Sequence, residues 1–388
     1  MIPPVEISFW FCAGLVVYTY ALYPLALALL ASTRNDSIDR NTTFNGSISF
    51  VLVAHNEETR IGQRIVELSN LLRACGGRGE IVVVSDGSTD TTAEVARSHA
   101  SSGVRVMELP HNIGKAAALT HGCSTATGDI LIFADARQRW AADAVEKLIR
   151  NFSNAAVGAV GGELVIERVG GLMAGVGLYW RYEKWLRRTE SRVHSTVGLS
   201  GAIAAVRRAL FCSIPPNTVL DDVYWPLRVT MKGYRVIHED AAKAFDRPSD
   251  ARGEFRRKVR TLAGNFQLIA RLPSALLPYR NPIWICFISH KVLRLLVPWA
   301  LIVTLLTSFI LPGPFYFASL IAQVAFYVFG MVGLATGRSS SRWAAAAGSF
   351  LLLNVAAWVG FWVWLSGGAE KSWRKTHYKN DGDELGPA

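Results

Sequence analysis

An α/β domain on a parallel sheet, flanked by membrane helices, is the fold class this sequence predicts, and three observations predict it. Short β-branched runs alternate with helix-spaced segments between residues 48 and 152, the pattern of βαβ units. Charged residues are absent from Ile7–Ala31 and from Leu295–Gly337, and about 20 apolar helical residues span a bilayer's hydrocarbon core. Between these segments, residues 32–280 have an ordinary globular composition and a length that one large core accommodates.

The bulk composition agrees. Of 388 residues 51% are apolar and 18% charged, against about one quarter charged in a typical soluble domain. That excludes a disordered chain. The five cysteines are scattered with no CxxC pair, which excludes a disulfide framework or a zinc knuckle. The formal net charge of +11 suits anionic partners: lipid headgroups, nucleotide phosphates or nucleic acid. Nucleic acid is set aside, because no DNA-binding motif or aromatic-interleaved basic groove accompanies the charge.

The first element is the span at 7–31. A cleaved signal peptide is its alternative, favoured by the small residues near Ala31 and Ser32. Against it, no Lys or Arg precedes Ile7 and the run exceeds a signal h-region, so an uncleaved helix is expected. Four strands follow, at Ile48–Ala54, Glu80–Ser85, Val104–Glu108 and Asp129–Ala134, with helical spacing after them, as in Lys115–Thr125 and Ala141–Phe152. Ligands of open α/β sheets bind outside the carboxyl ends of the strands. Those ends carry His55-Asn56-Glu57-Glu58, Asp86-Gly87-Ser88-Thr89-Asp90, His111-Asn112-Ile113-Gly114-Lys115 and Asp135. Singly, Asp-Gly-Ser-Thr-Asp reads as a turn with a helix cap, and Lys115 as a solvated lysine. Their convergence on one sheet edge is what a turn does not explain. No GxGxxG follows the first strand and no GxxxxGK[ST] occurs, so dinucleotide and P-loop readings lack their fingerprint.

The ordered set HNEE, SDGSTD, HNIGK, FADA and LDDVYWPLRVTMKGYRV, over roughly residues 47–270, resembles the family-2 glycosyltransferases with a GT-A fold. With the flanking spans, the chain is similar to the membrane-embedded branch of cellulose, chitin, hyaluronan and poly-N-acetylglucosamine synthases. The resemblance implies that Glu57 and Asp86 hold the nucleoside of a nucleotide-sugar, a UDP-sugar being favoured, and that Lys115 lies near its diphosphate. It makes Asp135 the first acid of a D-x-D motif for Mg²⁺ or Mn²⁺, and Asp222 the catalytic base. It sets Arg257 and Arg260 near the R-x-x-R-W motif at the diphosphate and acceptor. The chemistry suits these residue types, since a carboxylate can take the acceptor hydroxyl's proton and cations can neutralise the departing diphosphate. Inverting displacement is the family expectation. Two positions depart from the pattern: Arg137 replaces the second acid of D-x-D, and Thr261 replaces the Trp of R-x-x-R-W, which weakens the case for processive polymerisation.

On the acceptor side, Tyr179–Arg192 alternates aromatics and cations, reading as a contact to sugar or headgroups or as an amphipathic surface helix. Gly198-Leu199-Ser200-Gly201 is similar to the family's acceptor loop, a Gly-Ser turn being the alternative. Residues 254–277 mix cations with apolar side chains as an interfacial helix on an anionic membrane does. About three apolar helices are expected over 291–366, the first two divided at Pro312-Gly313-Pro314, and then a basic-then-acidic tail at 367–388. Trp299, Trp343 and Trp364 suit membrane interfaces or ordinary packing.

Basic flanks, including Lys291 and Arg294, favour the cytoplasmic side for the central domain, and the family resemblance implies a bacterial inner membrane. Three further crossings would then leave the basic tail outside. Either the segment after Trp343 is re-entrant or interfacial, or the number of crossings differs. The expected function is transfer of a sugar to a glycan or lipid-linked acceptor in exopolysaccharide or envelope-glycan synthesis. Its alternatives are a non-processive polyprenyl or lipid glycosyltransferase and a non-catalytic nucleotide-sugar-binding export subunit. A transporter finds no charged residue inside the apolar runs.

Overall fold

The computed structural model describes residues 3–34, 44–99, 103–166, 174–246, 251–336 and 341–368; the basic tail at Lys371–Lys379 lies outside them. Helix α1 (Pro4–Ser32) precedes the domain. The domain then runs β1 (Ile48–Ala54), α2 (Glu58–Ala74), β2 (Gly79–Asp86), α3 (Thr92–Ser98), β3 (Val104–Leu109), α4 (Lys115–Thr125) and β4 (Ile130–Ala134). It continues β5 (Arg139–Trp140), α5 (Ala144–Ile149), β6 (Val157–Ile166), α6 (Ala174–Val193), β7 (Ile203–Arg207), α7 (Asp221–Met231), β8 (Arg235–Asp246) and α8 (Ala251–Arg271). Three long apolar helices follow: α9 (Trp284–Ile310), α10 (Pro314–Thr336) and α11 (Arg342–Leu365). Like α1, each is long and apolar enough to cross a bilayer.

The eight strands form one sheet in the order β3-β2-β1-β4-β7-β6-β8-β5. Alternation along β1 sends Phe50 and Leu52 to one face and Val51 to the other, and both faces are covered. On the first face, Ile61, Ile65, Leu68 and Leu72 of α2 recur at helical spacing and bury against Phe50 and Leu52. On the second, α4 brings Ala116, Leu119 and Cys123 onto Val51, Val82 and Val84, so closely that a Cβ on Gly122 would lie 2.7 Å from Val51 Cγ1.

The expected parallel sheet covers only β3, β2, β1 and β4. Beside β4, β7 runs antiparallel, Ala134 opposite Ile203, and the sheet is mixed. The cause is α6. It leaves β6 at the strands' carboxyl edge and returns the chain to β7 at that same edge, where it packs against α1 and α11 instead of crossing a sheet face. Helix α8 leaves β8 at this edge too, and it packs against α11. The carboxyl edge of the sheet therefore faces the membrane helices.

A buried polar junction ties domain to membrane. Glu190 of α6 accepts from Tyr23 Oη at 2.9 Å and from His290 Nδ1 at 2.8 Å. Glu183, one turn pair earlier, faces His290 Nε2 at 3.1 Å and the Arg294 guanidinium. Burial opposes charge on Glu183, but Arg294 and His290 outweigh it and hold its carboxyl well below the usual range.

Candidate active site

The turns at the sheet edge are tied together. Asn56, with φ of 55°, accepts from the Thr89 N–H at 2.8 Å, and Glu58 accepts from the Thr91 N–H at 3.1 Å. Glu57 is paired with Arg60 at 3.1 Å, and its N–H donates to Thr92 Oγ1. Asp86 is 1% exposed, and its two oxygens accept the Ile113 and Gly114 N–H groups at 2.8 and 2.9 Å. Burial pushes its carboxyl up against those bonds. Asp86 thus fixes the loop that launches Lys115. Gly87 (φ +58°) permits this approach, for a Cβ there would fall 2.2 Å from Asn112 N.

Lys115 starts α4 and points along the edge to Asp135, Nζ to Oδ1 2.6 Å. Buried Arg64 holds the Asp135 main chain in place by donating to its carbonyl oxygen at 3.0 Å. The antiparallel return of β7 brings Gly201 to the same edge, where its N–H donates to Asp222 Oδ2 at 3.3 Å. A methyl group on Gly201 would sit 3.6 Å from Asp222 Oδ2 and 3.7 Å from Lys115 Nζ. Lys115, Asp135 and Asp222, expected from separate motifs, are therefore together.

Asp221 joins them, a residue the sequence reading passed over in favour of its neighbour. Burial opposes charge on Lys115, but Asp135, Asp221 and Asp222 outweigh it and hold the ammonium above its usual range. Burial pushes Asp221 up to about 6, with Lys115 pulling down and Asp222 and Asp135 pushing up. Burial also raises Asp222, while Lys115, Arg187 and Lys291 pull it down. Arg187 and Lys291 are further residues missed from sequence, where the first read as part of an amphipathic stretch and the second as a basic flank.

Arg257 of α8 pairs with Glu254 at 2.7 Å and lies over the Trp180 ring of α6 at 5.6 Å. Arg260 lies one turn further along α8. The same helix braces the segment that enters α7: Gln267 accepts from Val219 N–H and donates to the Asn217 carbonyl, both at 2.9 Å.

The guanidinium of Arg137, at the position of the missing acid, bonds Asp246 at 2.6 Å. Among the described residues no three His, Cys, Asp or Glu side chains form a protein-only metal site. A magnesium site on a phosphate substrate needs only one or two carboxylates, the other ligands being phosphate oxygens and water. Asp135 fits that role, since Lys115 takes Oδ1 and leaves Oδ2 without a hydrogen bond.

Residues 49–213 match the family model described as glycosyl transferase family 2. Over that stretch the chain is similar to that family. The chain is 24% identical over 276 residues to the poly-beta-1,6-N-acetyl-D-glucosamine synthase of Staphylococcus aureus, 69% of this chain and 65% of the synthase. It thus spans under two thirds of that relative's length. A dolichyl-phosphate beta-glucosyltransferase of Trichomonas vaginalis is 34% identical over 116 residues, 27% of this chain and 36% of that protein. The mannosyltransferase PcManGT of Pyrobaculum calidifontis, solved with GDP-Man and Mn²⁺, superposes with a TM-score of 0.68 at 20% identity, covering 92% of this chain and 99% of that one. That likeness is one of fold: the GT-A-type mixed sheet together with apolar helices. With four helices long and apolar enough to cross a bilayer, the chain is an integral membrane protein.

Proposed function

We propose that this family-2 domain transfers a glycosyl group from a nucleoside-diphosphate sugar, a UDP-sugar by preference, to a hydroxyl of a glycan or lipid-linked acceptor. Exopolysaccharide or envelope-glycan synthesis is the setting, at a bacterial inner membrane with the domain on the cytoplasmic side. The similarity to a poly-N-acetylglucosamine synthase supports the setting, and the basic flanks of α9 support the side. The observation that carries the reading is the meeting of Asp222 and the Lys115–Asp135 pair across Gly201, on the sheet edge that faces the membrane helices.

In this arrangement Asp222, raised by burial yet ionised beside Lys115, takes the acceptor hydroxyl's proton as its oxygen attacks the anomeric carbon. Lys115 meets the negative charge that develops on the departing diphosphate, and attack opposite that leaving group inverts the configuration. The Asp86-bound loop and the Glu57 turn form the wall toward the nucleoside. A divalent ion held by Asp135 with the donor's phosphates would add Lewis-acid neutralisation of the same charge.

The test is nucleotide release from UDP- and GDP-sugars by the full chain in detergent, with and without Mg²⁺ or Mn²⁺, with membrane lipid as acceptor. Acceptor-stimulated release should fall about 10²- to 10⁴-fold in Asp222→Asn while nucleotide-sugar binding persists. Binding without turnover across the panel would make this an export or binding subunit, and no binding at all would overturn the donor site.

A further inference from the structure

Strands β4 and β7 part company at the site. Their antiparallel ladder ends with Ala134 opposite Ile203, and the next two residues, Asp135 and Ala202, lie outside it. A main-chain carbonyl beyond the end of a ladder needs a donor from elsewhere. Here both carbonyls receive one from a side chain. Arg64 Nε donates to the Asp135 carbonyl at 3.0 Å, and the Trp140 indole N–H donates to the Ala202 carbonyl at 3.1 Å.

Those two donors belong to one unit. Arg64 and Glu67, three residues apart on α2, pair at 2.6 Å. The other Glu67 oxygen accepts the Trp140 main-chain N–H at 2.7 Å, and the Arg64 guanidinium lies over the Trp140 ring at 5.2 Å. Trp140 is held in turn by the pairing of β5 with β8. Arg64 is 2% exposed, and its Nη2 has no hydrogen-bond partner among the described residues. A buried guanidinium with an N–H group left over is a poor way to fill a core. The contacts it does make therefore call for a purpose beyond packing.

The two carbonyls flank the reacting groups. Asp135 carries the carboxylate that pairs with Lys115, and Ala202 follows Gly201, whose N–H holds Asp222 Oδ2. Between Asp135 and Gly201 a departing diphosphate and an acceptor hydroxyl have to line up, and a misplacement of about 1 Å costs about 10²-fold in rate. We propose that Arg64, Glu67 and Trp140 are positioning residues, which as one buried unit set the gap between the Lys115–Asp135 pair and the Gly201 turn. The inference rests on the glycosyltransferase reading and deepens it by naming what aligns the base with the leaving group. None of the three side chains touches substrate.

The test compares Trp140→Phe and Arg64→Lys with the unsubstituted full chain in detergent, by nucleotide release from UDP- and GDP-sugars with membrane lipid as acceptor. Trp140→Phe keeps an aromatic ring under Arg64 and removes the indole N–H, whereas Arg64→Lys keeps the charge and gives up the planar fork. Each should lower kcat about 10- to 10²-fold, while the donor's KM and nucleotide binding, which also reports folding, stay unchanged. A slackened Gly201 turn weakens a hydrogen bond to ionised Asp222, so the acid limb of kcat/KM should move to higher pH in Trp140→Phe. The double variant should lose less than the product of the two single losses, as members of one unit do. Full turnover in Trp140→Phe, losses that multiply, or a lowered thermal midpoint with an unmoved acid limb would overturn the inference. Loss of nucleotide binding in both variants would overturn it too, by making the unit a requirement of folding. Absence of turnover in the unsubstituted chain would instead overturn the glycosyltransferase reading, and the inference with it.

Discussion

Asp221 and Asp222 are adjacent in sequence and differ in what surrounds them. Asp222 is bonded by the Gly201 N–H and feels three cations, whereas Asp221 has Lys115 against it and two other carboxylates nearby. The pair titrates as a unit, so the acid limb of activity belongs to both. Burial raises both carboxyls, and a base works only when ionised. The acid limb of kcat/KM should therefore lie above the ordinary carboxylate range. Asp221→Asn removes a like charge, which favours ionised Asp222, so that limb should move to lower pH. A pH–rate profile of the two proteins checks this, and an unmoved limb would separate Asp221 from the base. At this scale Lys115 and Asp135 were legible as residue types at strand ends, and Asp222 through the family resemblance. Arg257 was not, because its neighbours Glu254 and Trp180 belong to separate surfaces until α6 and α8 pack.

Among elements, α6 is the one whose placement decides the others. It is stapled to the sheet by Glu163 of β6, which faces Lys184 at 2.6 Å and His238 at 2.9 Å. Burial opposes that charge, but the hydrogen bonds from His238 and Lys184 outweigh it and pull Glu163 down to about 2. A carboxyl whose folded value lies below its unfolded one contributes stability above the unfolded value, lost as pH falls toward the folded one. Glu163→Gln should thus lower the thermal midpoint at neutral pH, by about 2–3 kcal/mol of stability. That difference should fade between about 4.5 and 2, which melting curves across pH would show. The strands and helices up to β4 follow directly from β-branched runs and helical spacing. The antiparallel β7 does not, because its direction depends on where α6 lodges, and α6 lodges against helices far away in sequence.

At the scale of the whole molecule, the membrane helices reach the base through α8. Phe266 of α8 stacks on Trp364 and meets Phe361 of α11 edge to face, and Trp299 of α9 completes the cluster. Helices α10 and α11 meet through small residues, Gly330 and Gly333 against Ala344 and Ala347, as close membrane packing requires. Gly360 sits on α8 so tightly that a Cβ would be 3.0 Å from Ala263 N and 3.2 Å from Val259 O. Gly360→Leu should push α8 outward, slacken the Gln267 brace on the segment before Asp221 and lower turnover by up to about 10²-fold. Donor binding should persist and helix content should be unchanged by circular dichroism; full turnover in that variant would uncouple α11 from the site.

The sequence by itself determined which segments are apolar enough to leave water, which runs become buried central strands, and which charged residues end them. Those properties reside in single side chains and in periodicities of two and 3.6, so they can be read locally. Only the tertiary structure decided that the sheet is mixed, that its carboxyl edge faces the membrane helices, that Asp86 holds the loop before Lys115, and that Gly201 brings Asp222 to Lys115. Each of these depends on packing between segments separated by tens to hundreds of residues, where the partner of a charge is set by the shape of the whole chain.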